Sequence, residues 1–283
     1  MDDTKSLELW VLGGDGRYPW AVRALGESGL TVRTWGVPGL PNEAEDPEAA
    51  LRRADVALLP LKPFQGERLR LGEWSLEWAL LPLVMKPGAT LIAGEFPPEA
   101  EDWLRSQGIW CAAVLEDPAY LVENAAVTAE GALCLALEQL PRTLWGAEIL
   151  VIGWGRIGKF LAAKLAALGA KVTVSARRER QWAELESMGF RPEETGRYHH
   201  GLGEYDIVIN TVPAPVLTLE QLQGIKPGCC LMELASAPGG FPAEAENVCI
   251  ARGLPGKLFP KTAGCQLADA VWSVLAGEGR NME

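Results

Sequence analysis

The chain has 283 residues, 48% of them hydrophobic, and a formal charge of −11 from 26 Lys and Arg against 37 Asp and Glu. That length and apolar content suffice for one large or two medium domains, each with its own core. The acidic balance argues against nucleic acid or an anionic membrane as the main partner, since both need a basic footprint. Local cations then read as specific anion binders. No apolar run reaches the ~18 residues of a membrane span. The opening MDDTKSLELW lacks the basic start and longer apolar core of an export signal, so a cytoplasmic location is expected.

Short apolar, β-branched runs alternate with helical patterns. LELWVLGG (7–14) reads as a strand ending in a glycine turn, 17–27 as a helix, LTVRTWGV (30–37) and ADVALLPL (54–61) as strands. SLEWALLPLVM (75–85) reads as a helix, ATLIAGE (89–95) as a strand, EAEDWLRSQG (99–108) as a helix and IWCAAVL (109–115) as a strand. A long helix covers 119–140, with Pro141 just past it. The rhythm then restarts with strand AEILVIG (147–153), helix GRIGKFLAAKLAALG, strand AKVTVSA (170–176) and helix RERQWAELESMG (178–189). YDIVINT (205–211), CCLMELA (229–235) and NVCIA (247–251) follow as strands, and 262–276 as a last helix.

This rhythm predicts an α/β protein of two doubly wound parallel-sheet domains. The expected boundaries are 1–122 for a substrate domain, joined by a C-terminal helix at 264–283, and 123–263 for the linking helix and dinucleotide domain. Cys111, Cys134, Cys229, Cys230, Cys249 and Cys265 have no CxxC spacing and no nearby His pair. They are expected to be small core residues, with no metal site.

VIGWGRIG carries Gly153, Gly155 and Gly158 in G-x-G-x-x-G spacing after a strand and before a helix. The first glycine allows the tight turn, the second lets backbone approach a pyrophosphate, and the third lets helix and strand pack closely. The amides of Gly153, Trp154, Gly155, Arg156, Ile157 and Gly158 surround a helix N-terminus that favours phosphate. About 20 residues on, where NAD sites carry Asp or Glu, stand Ser175, Ala176, Arg177 and Arg178. A serine and two arginines suit a 2′-phosphate, so NADP is favoured and NAD remains possible. Thr211, Val212 and Pro213, and Ala235 in ELASAPGG, end later strands and are expected near the nicotinamide.

LGGDGR (12–17), TAEGAL (128–133), GWGRIGKFLAAKLAALGAKVTVSARR (153–178), DIVINTVPA (206–214), ELASAPGG (233–240) and GLPGKLFPKTAG (253–264) occur in order along the chain. On these stretches the sequence resembles the A-subunit family of bacterial dipicolinate synthases. The resemblance implies NAD(P)-dependent oxidation of a dihydrodipicolinate-level ring to dipicolinic acid and a role in the mother cell during sporulation. It implies as partner the flavoprotein-like B subunit of dipicolinate synthase. It also implies the architecture of 2-hydroxyacid and alanine dehydrogenases, with a catalytic domain and, second, an NAD(P)-binding Rossmann domain, and a cleft between them. The two histidines, His199 and His200, fall in a loop after a helix, away from the place of a 2-hydroxyacid dehydrogenase's catalytic histidine.

Such chemistry needs two carboxylates held, a hydride donor carbon facing the cofactor, and a proton acceptor. Lys257 and Lys261 lie in a Pro- and Gly-stiffened loop, with Thr262 a candidate cap for the last helix. On spacing alone they are solvated charges; with the resemblance they become carboxylate anchors. Arg17 can hold a carboxylate and Asp15 can orient it or act as base, although Gly-Asp-Gly is also an ordinary turn. Glu130 is a candidate active-site group or a solvent-facing one. A different carboxylate substrate, a 2-oxo or amino acid, and a non-catalytic cofactor-binding role in a synthase complex remain alternatives. A homo-oligomer is compatible with all of them.

Overall fold

The computed structural model describes residues 7–199 and 201–278. The chain forms two compact units, Met1–Asn124 with Pro255–Glu283, and Ala125–Leu254. The chain re-enters the first unit at Pro255, earlier than the 264 expected from sequence.

The first unit holds β1 (Glu8–Leu12), α1 (Tyr18–Glu27), β2 (Thr31–Trp35), α2 (Pro47–Arg53) and β3 (Val56–Leu58). β4 (Phe64–Gln65), β5 (Arg68–Leu71), β6 (Trp74–Glu77), α3 (Leu81–Val84), β7 (Thr90–Ala93), α4 (Pro98–Ser106) and β8 (Trp110–Ala113) follow. β2-β1-β3-β7-β8 form one all-parallel sheet. Its order reverses between β1 and β3, which makes the loops after those strands the switch point where ligands bind in open α/β sheets. The sheet is buried on both faces. Trp10 and Leu12 of β1 join Ala57 and Leu91 in one core, while Leu9 and Val11 join Val56 and Ile92 in the other.

Residues 75–85 are not one helix. β4, β5 and β6 make a small antiparallel sheet, and only Leu81–Val84 is α-helical. Two-residue Gly-Glu turns cause this, with Gly66 at φ 57° and Gly72 at φ 62°, the left-handed geometry that tight hairpins require. Trp74 and Leu76 then alternate inward onto the core.

α5 (Pro118–Gln139) starts in the first unit and enters the second. By length and composition it matches a membrane span, but Ala129, Ala132 and Ala136 are packed in the second unit's core. That unit continues with β9 (Glu148–Ile152), α6 (Arg156–Ala167), β10 (Lys171–Ala176), α7 (Glu179–Ser187) and β11 (Arg191–Glu194). β12 (Ile207–Asn210), α8 (Leu219–Gln223), β13 (Cys230–Glu233) and β14 (Val248–Ile250) complete it. The parallel sheet β11-β10-β9-β12-β13-β14 is two three-strand halves meeting between β9 and β12, the dinucleotide-binding order.

GLPGKLFPKTAG is not a loop. It forms α9 (Leu254–Leu258) and α10 (Pro260–Glu278), which meet at Phe259. Thr262 therefore lies inside α10 and caps nothing, because Pro260 already starts the helix with its preset φ. α10 packs on α1, and Gly264 is the contact: a Cβ there would clash with the Arg17 carbonyl and lie 2.5 Å from Trp20 Cβ.

Candidate functional site: a dinucleotide pocket and a charged elbow

Each glycine after β9 has its own geometric reason. Gly153 has φ 106°, and a Cβ on it would lie 2.5 Å from Thr211 Oγ1 and 2.8 Å from Val212 Cγ2. Gly158 faces the Gly153 carbonyl so closely that a Cβ would collide with it. Gly155 is exposed, caps α6, and has nothing within 4 Å of a would-be Cβ. Its backbone is open to a ligand at the positive end of a helix dipole, as pyrophosphate binding requires.

Around this turn lies a pocket of about 360 Å³, lined by Gly153, Trp154 and Gly155, by Ala176, Arg177, Arg178, Gln181 and Thr195, and by Thr211, Val212 and Pro213. No lining residue is acidic. Arg177 and Arg178 are exposed, and neither is in an ion pair among the described residues. Trp154 contributes to the wall, but its indole is mostly buried, 5.7 Å from Phe190 edge to face, with Lys159 Nζ 5.2 Å above it. Arg156 and Ile157 form the first turn of α6, outside the lining.

Ser175 is a correction. It is fully buried, and its hydroxyl bonds Thr195 Oγ1 at 3.0 Å. Alternation along β10 turns it into the sheet and leaves Ala176 at the pocket. Gln181 and Thr195 line the pocket instead. β11 supplies the register that brings Thr195 there, and its polar run RPEE carries no strand signal.

Ala235 is not among the residues that line this pocket. Its N–H donates to Glu233 Oε1 at 2.9 Å and its carbonyl accepts from Arg252 Nε at 2.8 Å.

In the first unit, β1 is followed by Gly13 and Gly14, both with positive φ, which deliver Asp15 and Arg17 to the start of α1. The structure corrects the expected role of Arg17. It is 3% exposed, donating from Nε to Asp15 Oδ1 at 2.9 Å, from Nη2 to Asp15 Oδ2 at 3.1 Å and from Nη1 to Tyr120 Oη at 3.1 Å. Burial is the largest single influence and works against its charge, but the Asp15 hydrogen bonds together with the charge interactions with Tyr120, Asp15 and Tyr18 outweigh it and raise the pKa. Burial also raises the Tyr120 hydroxyl, against the pull of Arg17, so it stays neutral. Arg17 is thus committed inside the protein, whereas Asp15 is half exposed at 47%.

The elbow of α9 and α10 lies on this turn. A Cβ on Gly256 would overlap the Asp15 carboxylate, and one on Gly16 would lie 2.8 Å from the Gly256 carbonyl. Lys257 is exposed, and Lys261 is exposed with its ammonium 5.6 Å from the Trp20 ring centroid. Sequence reasoning passed over Lys62. It follows β3 at the switch point, 58% exposed and 3.4 Å from Glu95. The Tyr18 hydroxyl ties this loop to α1 through the Leu59 carbonyl at 3.0 Å.

Two candidates stand apart. Glu130 is an exposed partner of Lys164 at 2.9 Å. His199 is exposed beside Glu194 at 3.3 Å, and His200 lies outside the described residues. The cysteines are free, and only Cys111 is fully buried; Cys134 and Cys265 are exposed, which corrects the expectation of six core residues.

Residues 124–237 match the family described as D-isomer specific 2-hydroxyacid dehydrogenase, NAD binding domain. The A subunit of dipicolinate synthase from Bacillus subtilis (strain 168) is 30% identical over 95% of this chain and 96% of its own. The crystal structure of the A subunit of dipicolinate synthase from Bacillus halodurans superposes with a TM-score of 0.84 at 28% identity, covering 96% of this chain and 98% of that one. The crystal structure of its Bacillus subtilis counterpart does so with a TM-score of 0.78 at 28% identity, over 99% and 98%. With its glycine turn, strand order and nicotinamide-dinucleotide domain, this oxidoreductase belongs to the A-subunit family of dipicolinate synthases.

Proposed function

We propose that the chain oxidises a dihydrodipicolinate-level ring to dipicolinic acid with NADP as hydride acceptor, working with the B subunit of dipicolinate synthase. The observation that carries the cofactor choice is the pocket beside β10, which offers Arg177, Arg178, Gln181 and Thr195 and no carboxylate. A 2′-phosphate fits such donors, whereas a bare ribose diol calls for an acidic acceptor. The family membership supports the substrate and the partner.

The fit to the dinucleotide rests on the open backbone at Gly155, the first turn of α6 and the close packing at Gly158. When bound, the nicotinamide supplies the hydride acceptor. The protein's own residues supply the rest. Lys257, Lys261 and Lys62 hold the two carboxylates. Asp15 accepts the proton at its exposed carboxylate, with Arg17 and Tyr120 fixing its orientation. A carboxylate is a weak base, but aromatisation makes the leaving ring proton acidic, so a weak base suffices.

The test is a spectrophotometric assay of reduced dinucleotide formation from a dihydrodipicolinate-level substrate, run with NADP and NAD in parallel, with the B subunit present or omitted. Turnover with NADP by the reconstituted pair is expected. No turnover with either dinucleotide overturns the proposal.

A further inference from the structure

We propose that Glu233 is a positioning residue for the nicotinamide end of the dinucleotide, acting through Asn210 and the two strand-end loops these side chains tie together. This rests on reading the pocket beside Gly153 as the dinucleotide site.

Glu233 is the last residue of β13 and is 2% exposed. Among the described residues no ion pair involves it; its four hydrogen-bond partners are all N–H donors. Oε1 accepts from Asn210 Nδ2 at 2.7 Å and from Ala235 N at 2.9 Å. Oε2 accepts from Gly240 N at 2.7 Å and from Phe241 N at 3.4 Å. A carboxylate, acceptor-only with about four lone-pair sites, suits such a set, and a carboxamide does not. A buried carboxylate in this state needs every donor it can gather.

Asn210 ends β12 and is fully buried. Its Oδ1 accepts from Val212 N at 3.0 Å, and its Nδ2 also donates to Val212 O at 2.8 Å. The two loops are joined again where Val216 N and Leu217 N both donate to the Gly240 carbonyl at 3.1 Å. Two glycines make room. A Cβ on Gly239, which has φ 89°, would lie 2.6 Å from Glu233 Oε2, and one on Gly240 would run into Asn210 Nδ2. Val212 in turn lines the pocket and abuts Gly153. One carboxylate therefore sets the shape of both loops at the carboxyl ends of β12 and β13.

Those strands belong to the second three-strand half of the sheet, the half that carries the second mononucleotide in this strand order. The adenine end lies on the other half, beside β10. Loss of the Glu233 charge then weakens the hold on the nicotinamide end and spares the adenine end. A merely structural role affects both alike.

The experiment titrates wild type and Glu233→Gln with two ligands each: the dinucleotide that wild type binds more tightly, and its adenine half alone, adenosine 2′,5′-bisphosphate or ADP. In Glu233→Gln the new NH₂ must face a backbone N–H. Dinucleotide affinity is expected to fall roughly tenfold, while affinity for the adenine half stays within about twofold. Equal losses for both ligands, or no loss for either, overturn the inference. If Glu233→Gln does not fold, Asn210→Ser gives the same reading, since it leaves Glu233 its three backbone donors and removes the Asn210 link to Glu233 together with the brace to Val212. Failure of wild type to bind either ligand overturns the dinucleotide reading itself, and the inference with it.

Discussion

Arg17 grips both oxygens of the Asp15 carboxylate, Nε 2.9 Å from Oδ1 and Nη2 3.1 Å from Oδ2, while the Tyr120 hydroxyl takes its remaining side at 3.1 Å. The exposed carboxylate is thereby fixed by a buried cation. Arg17→Met leaves Asp15 without its partner and a buried hydroxyl with no donor facing it, at an expected cost of about 2 kcal/mol. Tyr120→Phe removes one hydrogen bond and is expected to cost about 1 kcal/mol. Urea denaturation of both variants checks the order; a larger loss for Tyr120→Phe contradicts it.

The α9–α10 elbow depends on this carboxylate having a hydrogen, not a methyl, beside it. Gly256→Ala places a Cβ in the space of the Asp15 oxygens. The carboxylate is held by Arg17 and cannot swing away freely, so the strain falls on the elbow, at about 1–3 kcal/mol. A thermal melt of Gly256→Ala should show a clear drop. Gly277→Ala, near the end of α10 with nothing within 4 Å, should be neutral or slightly stabilising by helix propensity.

Thiol chemistry separates the cysteines. Burial pushes Cys111 and Cys229 up to about 12 and Cys230 up to about 11. With folded values raised, their contribution to stability is fully present below about pH 8.5, the unfolded thiol value, and is lost as pH rises from there through the folded values. Near pH 8 these three therefore stay protonated and react slowly. Cys134 and Cys265 are exposed and should react first with a thiol reagent, as mass mapping of the labelled native protein will show.

The two doubly wound sheets were legible because their strands, the polar β11 (RPEE) excepted, are mainly apolar runs followed by a glycine or helix signal. GWGRIG was legible because each glycine has a backbone reason that sequence spacing carries. Three features were not. β4 to β6 were hidden because the alternating WSLE runs straight into the helix-like WALLPLV. α9 was hidden by Pro255 and Gly256, residues that usually mark turns but here begin a short helix and let it approach Asp15. Arg17 and Ser175 were placed correctly along the chain but wrongly in depth. Their burial follows from partners distant in sequence, Tyr120 and Thr195, which no local pattern reveals.

Lys257 and Lys261 can be tested apart from the fold. Both are exposed, and the packing interaction the structure shows for either is that of Lys261 over Trp20, worth about 0.5–1 kcal/mol at an exposed site. Lys257→Ala is expected to change stability by less than about 0.5 kcal/mol. Each substitution should lower kcat/KM for the dicarboxylate about tenfold or more, mainly through KM, because a charge-assisted contact to the substrate is lost. Full activity of both variants in the assembled enzyme makes the elbow a structural joint only.

The proposed preference for NADP rests on Arg177 and Arg178. They flank the start of α7, where the helix dipole disfavours cations unless an anion is bound. Two acidic side chains of the neighbouring strand β11 are engaged elsewhere: Glu193 is buried and accepts from His199 N at 3.1 Å, and Glu194 pairs with Arg197 at 3.1 Å. No acidic residue lines the pocket to take a ribose diol or repel a 2′-phosphate. The double variant Arg177→Ser, Arg178→Ser is expected to lose roughly 30-fold or more in NADP affinity, about 2 kcal/mol for two charge-assisted contacts, while NAD affinity stays within about twofold. Raising the salt concentration should narrow the gap between the two dinucleotides in the wild type, because exposed cations are screened. Tighter binding of NAD than NADP by the wild type, or an equal loss of both in the variant, means that the arginines solvate the start of α7 and read no phosphate.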